Sequence, residues 1–444
     1  MAARKGASHQ LSLNRLRELM IDPARFSTDE DVISGYRQAG SKDGLLAVVV
    51  PRSQVDIEQV LKVARDDSLS VYTPLPEGLN PPRPGVVIDF RYMAGVKDID
   101  TRNLFLEVEP GVTWEQVLPE LAVRRVRVAL PAAASSPYVL ENALERQVVT
   151  CASRYTNKQI STFHVLMADG REYRSGSDAL PASVAHWRED GGPNISRVFT
   201  GSRNSLAIPL RGFVFLYPEP EHRKVVVMGL PNRNSARRLA ERAARSEIGT
   251  EVVLVNKLKG KDLLGFDPGL PTWSVVFGLE GSQRLVKYHQ KRLGELAAGL
   301  KLKPKAGATR LTEAFSGALA KPWYAPELSI GFYTTFEKVE KFSGMAEEAL
   351  KGHRGLAQMI IPVKRGASVY IHYDVHDPGK DAGTAIKLLR NRLSNSGAFF
   401  NNPTGAHATH IFKRQPAYFD LLKDIKRFLD PDDILNTGQM IDTR

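Results

Sequence analysis

The sequence predicts an α+β protein with a mixed first half and a second half built on an antiparallel sheet that carries its helices on one face. Three observations predict it. Short apolar runs alternate with helical stripes from about Leu45 onward. A strand–helix–strand–strand–helix order occurs twice in the second half, from Lys224 to Leu300 and from Leu328 to Leu393. A Pro218-Glu219-Pro220 break separates the halves. The length exceeds what one ordinary core fills, so two domains are expected.

Residues 1–27 read as a leader with one short helix, Leu11 to Met20. Leu45 to Val50 is a buried strand closed by Pro51. Ser53 followed by Asp56 is a hydroxyl cap with an acid three residues on, and Ile57, Val60, Leu61 and Ala64 then share one helical face. Val71-Tyr72-Thr73, Gly85 to Phe90 and Leu104 to Val108 are strands, and Val112 to Leu121 is a helix. His164 to Tyr173 is a hairpin that turns at Asp169-Gly170. Residues 177–200, rich in Pro, Gly and polar groups, form an exposed excursion, and Leu210 to Tyr217 is a strand. In the second half Ser235 caps the first helix. Near the end Phe419, Leu422, Ile425 and Leu429 make a helical stripe, followed by a turn. The expected organisation is a leader at 1–27, a first domain at 28–220, a second at 221–400 and a closing segment at 401–444.

Composition excludes several classes. The single Cys151 rules out an intrachain disulfide framework and a cysteine-based metal or iron–sulfur site, and fits a reducing compartment. The longest apolar run, Leu45 to Val50, is too short to span a membrane, and no apolar stretch follows the basic first residues. A soluble, cytoplasmic protein is expected. The net charge of +12 is scattered, with no aromatic-interleaved basic stripe, so no nucleic-acid partner is expected.

Four segments together resemble the FAD-linked oxidases of the vanillyl-alcohol oxidase and 4-cresol dehydrogenase family. They are Val49-Val50-Pro51-Arg52-Ser53; Val86 to Met93 leading to Val108-Glu109-Pro110-Gly111-Val112; Ser135-Ser136-Pro137 with Glu141-Asn142-Ala143-Leu144-Glu145-Arg146; and Leu429-Asp430-Pro431-Asp432-Asp433-Ile434-Leu435-Asn436-Thr437-Gly438. Their order and spacing agree over roughly residues 30–440. The resemblance implies a two-subdomain PCMH-type FAD-binding domain, an α+β cap with an antiparallel sheet, and a C-terminal segment returning to the flavin. FAD is the cofactor it implies, and Pro76, Gly78, Ser135, Ser136, Asn142, Glu145, Arg146, Gly201, Ser202 and Ile208 fall where it places flavin contacts.

A flavin dinucleotide needs glycine loops, because backbone amides must approach the pyrophosphate without a Cβ in the way. Here the first loop, Thr73 to Pro82, keeps only Gly78 and gains prolines and Glu77. Glu141, Gln147, Asn204 and Ala207 stand at family glycine positions. Glu145 and Arg146 read either as ligand contacts or as a structural ion pair. The catalytic aspartate implied by the family falls at Asn157, which cannot take a proton, and its tyrosine–arginine pair falls at His407 and Ala408, with Thr409 and His410 matching. Tyr370 and His372 share one face of a cap strand, with Tyr373 and His376 close by, and could line a substrate cavity. Lys364-Arg365-Gly366 reads as an anion contact or a solvated turn. His407 and His410 are spaced for a metal pair on a helix, but the neighbouring Pro and Gly argue against a helix there, and no metal site is expected.

Two functions follow as expectations. The first is a degenerate, non-catalytic or regulatory subunit paired with an intact flavoprotein paralogue or an electron-transfer subunit. The second is an active FAD-dependent dehydrogenase or oxidase of a small aromatic or hydroxylated substrate, with a rebuilt site.

Overall fold

In a computed structural model the chain is described at residues 2–38, 41, 44–75, 78–152, 159–180, 190–307, 309–326, 328–351, 355–376 and 382–441, with residues 2–8 described in backbone only. The strands Leu45–Val49, Gly85–Ile88 and Ser70–Tyr72 run parallel, and Phe26–Ser27 closes the edge antiparallel. The expected cap on helix Gln54–Asp66 is a full capping box between Ser53 and Asp56. Its apolar stripe packs on Ala47, Val49, Val86 and Ile88, while Val48 and Val50 face a smaller cluster with Tyr72 and Val87. Near-continuous apolar strands of this kind are what a parallel sheet buried on both faces requires. The first helix is longer than the sequence reading, Ala2–Met20, and Leu13, Leu16 and Met20 join that core. Arg15 pairs with both Asp66 and Asp67 at 3.1 Å, which ties this helix to its neighbour.

A second sheet of six strands is antiparallel. Its long strand Ile208–Pro218 pairs with Phe105–Val108, Val126–Val128 and Ile160–Leu166. The expected hairpin is present: Ile160–Leu166 pairs with Glu172–Arg174, and Gly170 turns at φ 89°.

The cap sheet has seven antiparallel strands among the described residues, with Trp273–Gly281 and Glu251–Asn256 in its middle and Ser368–Val375 and Ser329–Thr334 at one end. Strand alternation splits its side chains. Val252 and Leu254 face four helices, Arg233–Arg245, Gln283–Gly299, Val339–Ala349 and Ala382–Asn395. Val253 and Val255 face the opposite way, onto residues 129–152 of the first half. Two further helices, Lys257–Leu264 and Thr309–Ala318, lie on this second face, so the expectation of helices on one face is corrected. They are short segments whose apolar stripes only the packing reveals. Asn232, not Ser235, caps the first cap helix; its side chain accepts from the Ser235 amide.

Across the seam the buried Glu280 receives both Arg127 of the first half and Arg223 of the adjacent strand, and Arg223 also reaches Glu251 at 2.9 Å. The C-terminal helices Gly405–Phe412 and Pro416–Leu429 lead to a tail that pairs with the first sheet: the Val71 amide donates to the Ile434 carbonyl, and the Asn436 amide to the Val71 carbonyl. Lys426, fully buried, donates to the carbonyls of Ser205 and Leu435 at 2.8 Å and pairs with Asp430. Among the described residues no helix is long and apolar enough to cross a membrane.

Candidate functional site

Expected cofactor and substrate contacts line three spaces, one of them a cleft of about 470 Å³ with Gly78, Thr404, His407 and Gly438 in its wall. The first is the groove between the Thr73-Pro74 turn, the helix Val139–Leu144 and the loop at Asn204, lined also by Tyr138, Glu141, Glu145 and Pro209. Its volume is about 20 Å³, room for about one water. Thr73 and Asn204 meet across it, and Asn436 holds Thr73 from outside its lining. Asn204 Nδ2 donates to Thr73 Oγ1 at 3.1 Å, and Asn436 Nδ2 reaches the same hydroxyl at 2.8 Å and the Arg203 carbonyl at 2.6 Å. Arg203 and Asn204 both hold left-handed φ of 52°. The backbone thus keeps a bend that suits glycine, while side chains fill the space a glycine would leave.

The amides around this groove are largely spent on protein acceptors. Thr73 donates to Asn436 Oδ1, Ser135 to Asn142 Oδ1, Gly201 to the Leu144 carbonyl, Ser202 to the Phe199 carbonyl and Arg203 to Glu145 Oε1. Gly78, at φ 75°, donates to the Leu75 carbonyl, and a Cβ there would lie 2.5 Å from the Gln38 amide nitrogen. Its glycine is therefore required by packing against the chain at 37–38. Asn142 is absorbed by its own loop, donating to the Ser136 and Tyr138 carbonyls. Ser136 Oγ accepts from the Tyr138 amide, and Ile208 starts the long buried strand.

Glu145 and Arg146 do not pair with each other. Glu145 holds the Arg203 guanidinium at 3.5 Å, and Arg146, at φ 51°, lays its guanidinium against Gly201. A left-handed residue directs its side chain away from the preceding turn, which is why the neighbours in sequence part.

The second space is a cavity of about 190 Å³ beneath the cap. Its lining includes Tyr333, Tyr370, His372, Phe400, His407 and three arginines, Arg146, Arg203 and Arg390. Tyr370 and His372 come from one face of the strand Ser368–Val375, as alternation requires; Tyr373 points to the opposite core. Tyr370 Oη lies 3.1 Å from His372 Nδ1, and His372 Nε2 lies 2.7 Å from Asp374 Oδ1. Asp374 in turn pairs with the buried Lys259. Burial alone would raise the Asp374 pKa, but His372 and Lys259 together hold it well below the usual carboxylate range. Burial, with Tyr333 and Asp374 adding to it, holds the Tyr370 phenol well above its ordinary value. A Cβ at Gly331 would lie 1.9 Å from Tyr370 Oη, so only glycine leaves the slot in which this tyrosine and histidine meet.

His407 and His410 lie on the helix Gly405–Phe412, which corrects the expectation that Pro and Gly prevent a helix there. Gly405 occupies the helix start, and Pro403 lies just outside it, where neither breaks the hydrogen-bond ladder. His407 Nε2 contacts Ser394 Oγ at 3.0 Å, and His410 Nε2 contacts Asn395 at 3.2 Å. Burial, with Arg390 and His410 adding to it, pushes the His407 pKa down to about 4. No metal-ligating cluster occurs among the described residues. His376 pairs instead with Asp262 at the surface, and Arg365 of the Lys364-Arg365-Gly366 turn with Glu247. Asn157 and Pro76 lie outside the described residues.

Sequence reasoning missed Asp374, Lys259 and Arg390, and named Thr73 and Asn436 only within longer segments. Asp374 carried a signal, since it continues the alternation of Tyr370 and His372. The others reach the site from distant segments.

Comparison with known proteins agrees with this fold. Residues 45–176 match the family described as an FAD binding domain. The chain is 25% identical over 323 residues to the 1'-carboxy-chondrochloren decarboxylase of Chondromyces crocatus, a match covering 69% of this chain and 55% of that protein. The chain thus spans about half the length of the curated relatives it matches. Its fold superposes on p-cresol methylhydroxylase with a TM-score of 0.85 at 18% identity, covering 98% of this chain and 97% of that one. For the 4-ethylphenol oxidase of Gulosibacter chungangensis the TM-score is 0.83 at 16% identity, covering 98% of each. FAD is the cofactor of this family. Residues 45–176 thus match an FAD binding domain, and the whole chain has the fold of p-cresol methylhydroxylase and 4-ethylphenol oxidase.

Proposed function

We propose that this chain is a non-catalytic member of the PCMH-type oxidase fold, which keeps the scaffold and the cap cavity but does not hold FAD in the groove at Thr73. One observation carries the reading: Asn204 bonds the Thr73 hydroxyl across the groove, Asn436 holds the same hydroxyl from behind, and room for about one water remains. In this arrangement the described residues do not fit the ADP half of FAD, because the amides a pyrophosphate would need already donate to protein acceptors. The Asn157 substitution at the family's acid position supports the same reading. The protein then serves as a regulatory or ligand-binding subunit beside an intact flavoprotein of the same fold, in the cytoplasm, where a lone buried Cys151 is at home.

The visible absorption spectrum of the purified full chain, before and after acid precipitation, tests this. The expected result is a colourless protein that releases no flavin and takes up no added FAD. Flavin at near one per chain would overturn it. A variant reopening the groove, Asn204→Gly with Glu141→Gly, is expected to gain measurable FAD uptake over the parent chain.

A second reading has its own observation. The Tyr370–His372–Asp374 alignment in the cap cavity is a site in which an active FAD-dependent dehydrogenase could seat a small aromatic or hydroxylated substrate. The decarboxylase relative is an enzyme of a carboxylated compound by its name. Stoichiometric flavin bleached by such a donor would favour this reading.

A further inference from the structure

We propose that the outer face of the cap, built from the helices Arg233–Arg245 and Gln283–Gly299, docks the acidic surface of a partner protein in a reversible complex. The inference rests on the subunit reading above. It names the surface through which the chain meets its partner and the chemistry that partner must present.

Charge that is spread along the sequence is gathered by the fold. The two helices pack against each other on the same face of the cap sheet. They hold nine basic residues and two acidic ones, so seven of the chain's twelve net positive charges lie on two neighbouring elements. Local pattern turns that charge outward. Arg233–Arg245 buries Ala236, Leu239, Ala240, Ala243 and Ala244, which leaves Arg238, Arg242 and Arg245 exposed at i, i+4 and i+7. Gln283–Gly299 buries Val286, His289, Leu293 and Ala297, which sets Arg284, Lys287, Tyr288 and Lys291 in a second exposed row. Part of the charge is answered within the protein. Arg237 and Arg245 share Glu241, Lys291 and Arg292 share Glu295, and Arg233 pairs with Glu340 and Glu347. Arg238, Arg242, Arg284 and Lys287 form no ion pair among the described residues. The mutual repulsion of these four cations falls when an anionic surface approaches, and their field steers such a surface in.

What surrounds the cations selects the kind of anion. Tyr288 is 55% exposed within its row, and tyrosine with arginine is the pair that protein interfaces concentrate at their centres. No other large apolar side chain of the two helices is exposed to that degree, so the face lacks the apolar anchors with which a helix enters a lipid surface. Glu241 and Glu295 stand among the cations. They repel the unbroken phosphate rows of a nucleic acid, whereas a folded partner can place its carboxylates opposite the arginines and away from them. The planar fork of arginine matches a carboxylate. Size sets the type of complex. Helices of 13 and 17 residues side by side present a face of about 20 by 20 Å. That is about half of the ~800 Å² that a stable interface takes from each partner, which is the scale of a transient contact.

Binding of the full chain to three labelled probes of matched charge at physiological ionic strength tests the proposal: poly-L-glutamate, random-sequence duplex DNA and phosphatidylserine vesicles. Poly-L-glutamate is expected to bind best, with an affinity that falls as salt is added. Arg238→Glu combined with Arg242→Glu is expected to weaken that binding about tenfold. Lys62→Glu combined with Arg102→Glu, two exposed positions of the first half, makes the same change of net charge and is expected to leave it within about twofold. Urea midpoints check that each variant remains folded. No binding of poly-L-glutamate, equal weakening by the two pairs, or tighter binding of the DNA or the vesicles overturns the proposal. These measurements do not depend on flavin content. A flavin-bearing protein would sink the subunit reading and leave the docking data as they stand, and a failed docking would leave the absorption spectrum to judge the subunit reading.

Discussion

At His407 burial, Arg390 and His410 act in one direction and leave a neutral imidazole whose Nε2 meets Ser394 Oγ. Its pKa is about 4 in the fold against 6.5 in the unfolded chain. Below pH 6.5 the unfolded chain binds a proton that the fold refuses, so this residue contributes stability above that pH and loses it as pH falls toward about 4. His407→Asn is expected to flatten the acid limb of the stability curve in that window, measured as urea midpoints of the two proteins across pH. An unchanged difference between them would refute the assignment. Single residues were read unevenly from the sequence. Tyr370 and His372 were placed together because strand alternation is local arithmetic. That Asn204 and Asn436 would meet over Thr73 was not legible, because the two asparagines are separated by most of the second half of the chain.

At the scale of elements, the cap strands Glu251–Asn256 and Trp273–Gly281 pair so that Glu251 lies directly opposite Gly278. A Cβ at Gly278 would fall 1.7 Å from Glu251 Oε2, so the glycine exists to seat a buried carboxylate that also answers Arg223. Burial raises the Glu251 pKa, with Arg223 opposing it and the neighbouring Glu280 adding to it. Gly278→Ala is expected to cost about 1–3 kcal/mol, the range for overpacking a filled interior. Adding Glu251→Ala is expected to recover part of that loss, and a double-mutant cycle by urea unfolding reads the coupling. Strict additivity would show that the clash is not with Glu251. The same strands were legible as β-branched runs, and Ser53 with Asp56 as a helix start, because caps and periodicity act within a few residues. Helices Lys257–Leu264 and Thr309–Ala318 escaped notice because tertiary contacts, not intrinsic pattern, stabilise segments of that length.

For the whole molecule, the C-terminal tail is the closing piece. It adds Leu435 beside Val71 in the parallel sheet, buries Lys426 against Asp430 and delivers Asn436 to the Thr73 hydroxyl. Ending the chain at Leu429 removes the carboxylate that pairs with a fully buried ammonium, and breaking such a pair costs about 3–5 kcal/mol. The expected outcome is a large drop in the urea midpoint together with accelerated hydrogen exchange at Val71. Unchanged exchange there would mean that the first sheet closes without the tail. The seam at Arg127, Arg223, Glu251 and Glu280 joins the cap to the first half through the same logic of charges buried in pairs.

The sequence by itself determined the α+β class, the order of the elements, the family resemblance and the side chains of Glu141, Gln147, Asn204 and Ala207 where that resemblance places glycines. These are properties of local pattern and residue identity, and they do not depend on which distant segments meet. Only the tertiary structure decided what those side chains and their neighbours touch. It put Asn204 and Asn436 on the Thr73 hydroxyl, gave Glu145 to Arg203 rather than to Arg146, and set Lys259 behind Asp374 at a separation of 115 residues. A hydrogen bond between remote side chains depends on the path of the backbone between them, and that path is settled by packing of the whole chain rather than by the residues at either end.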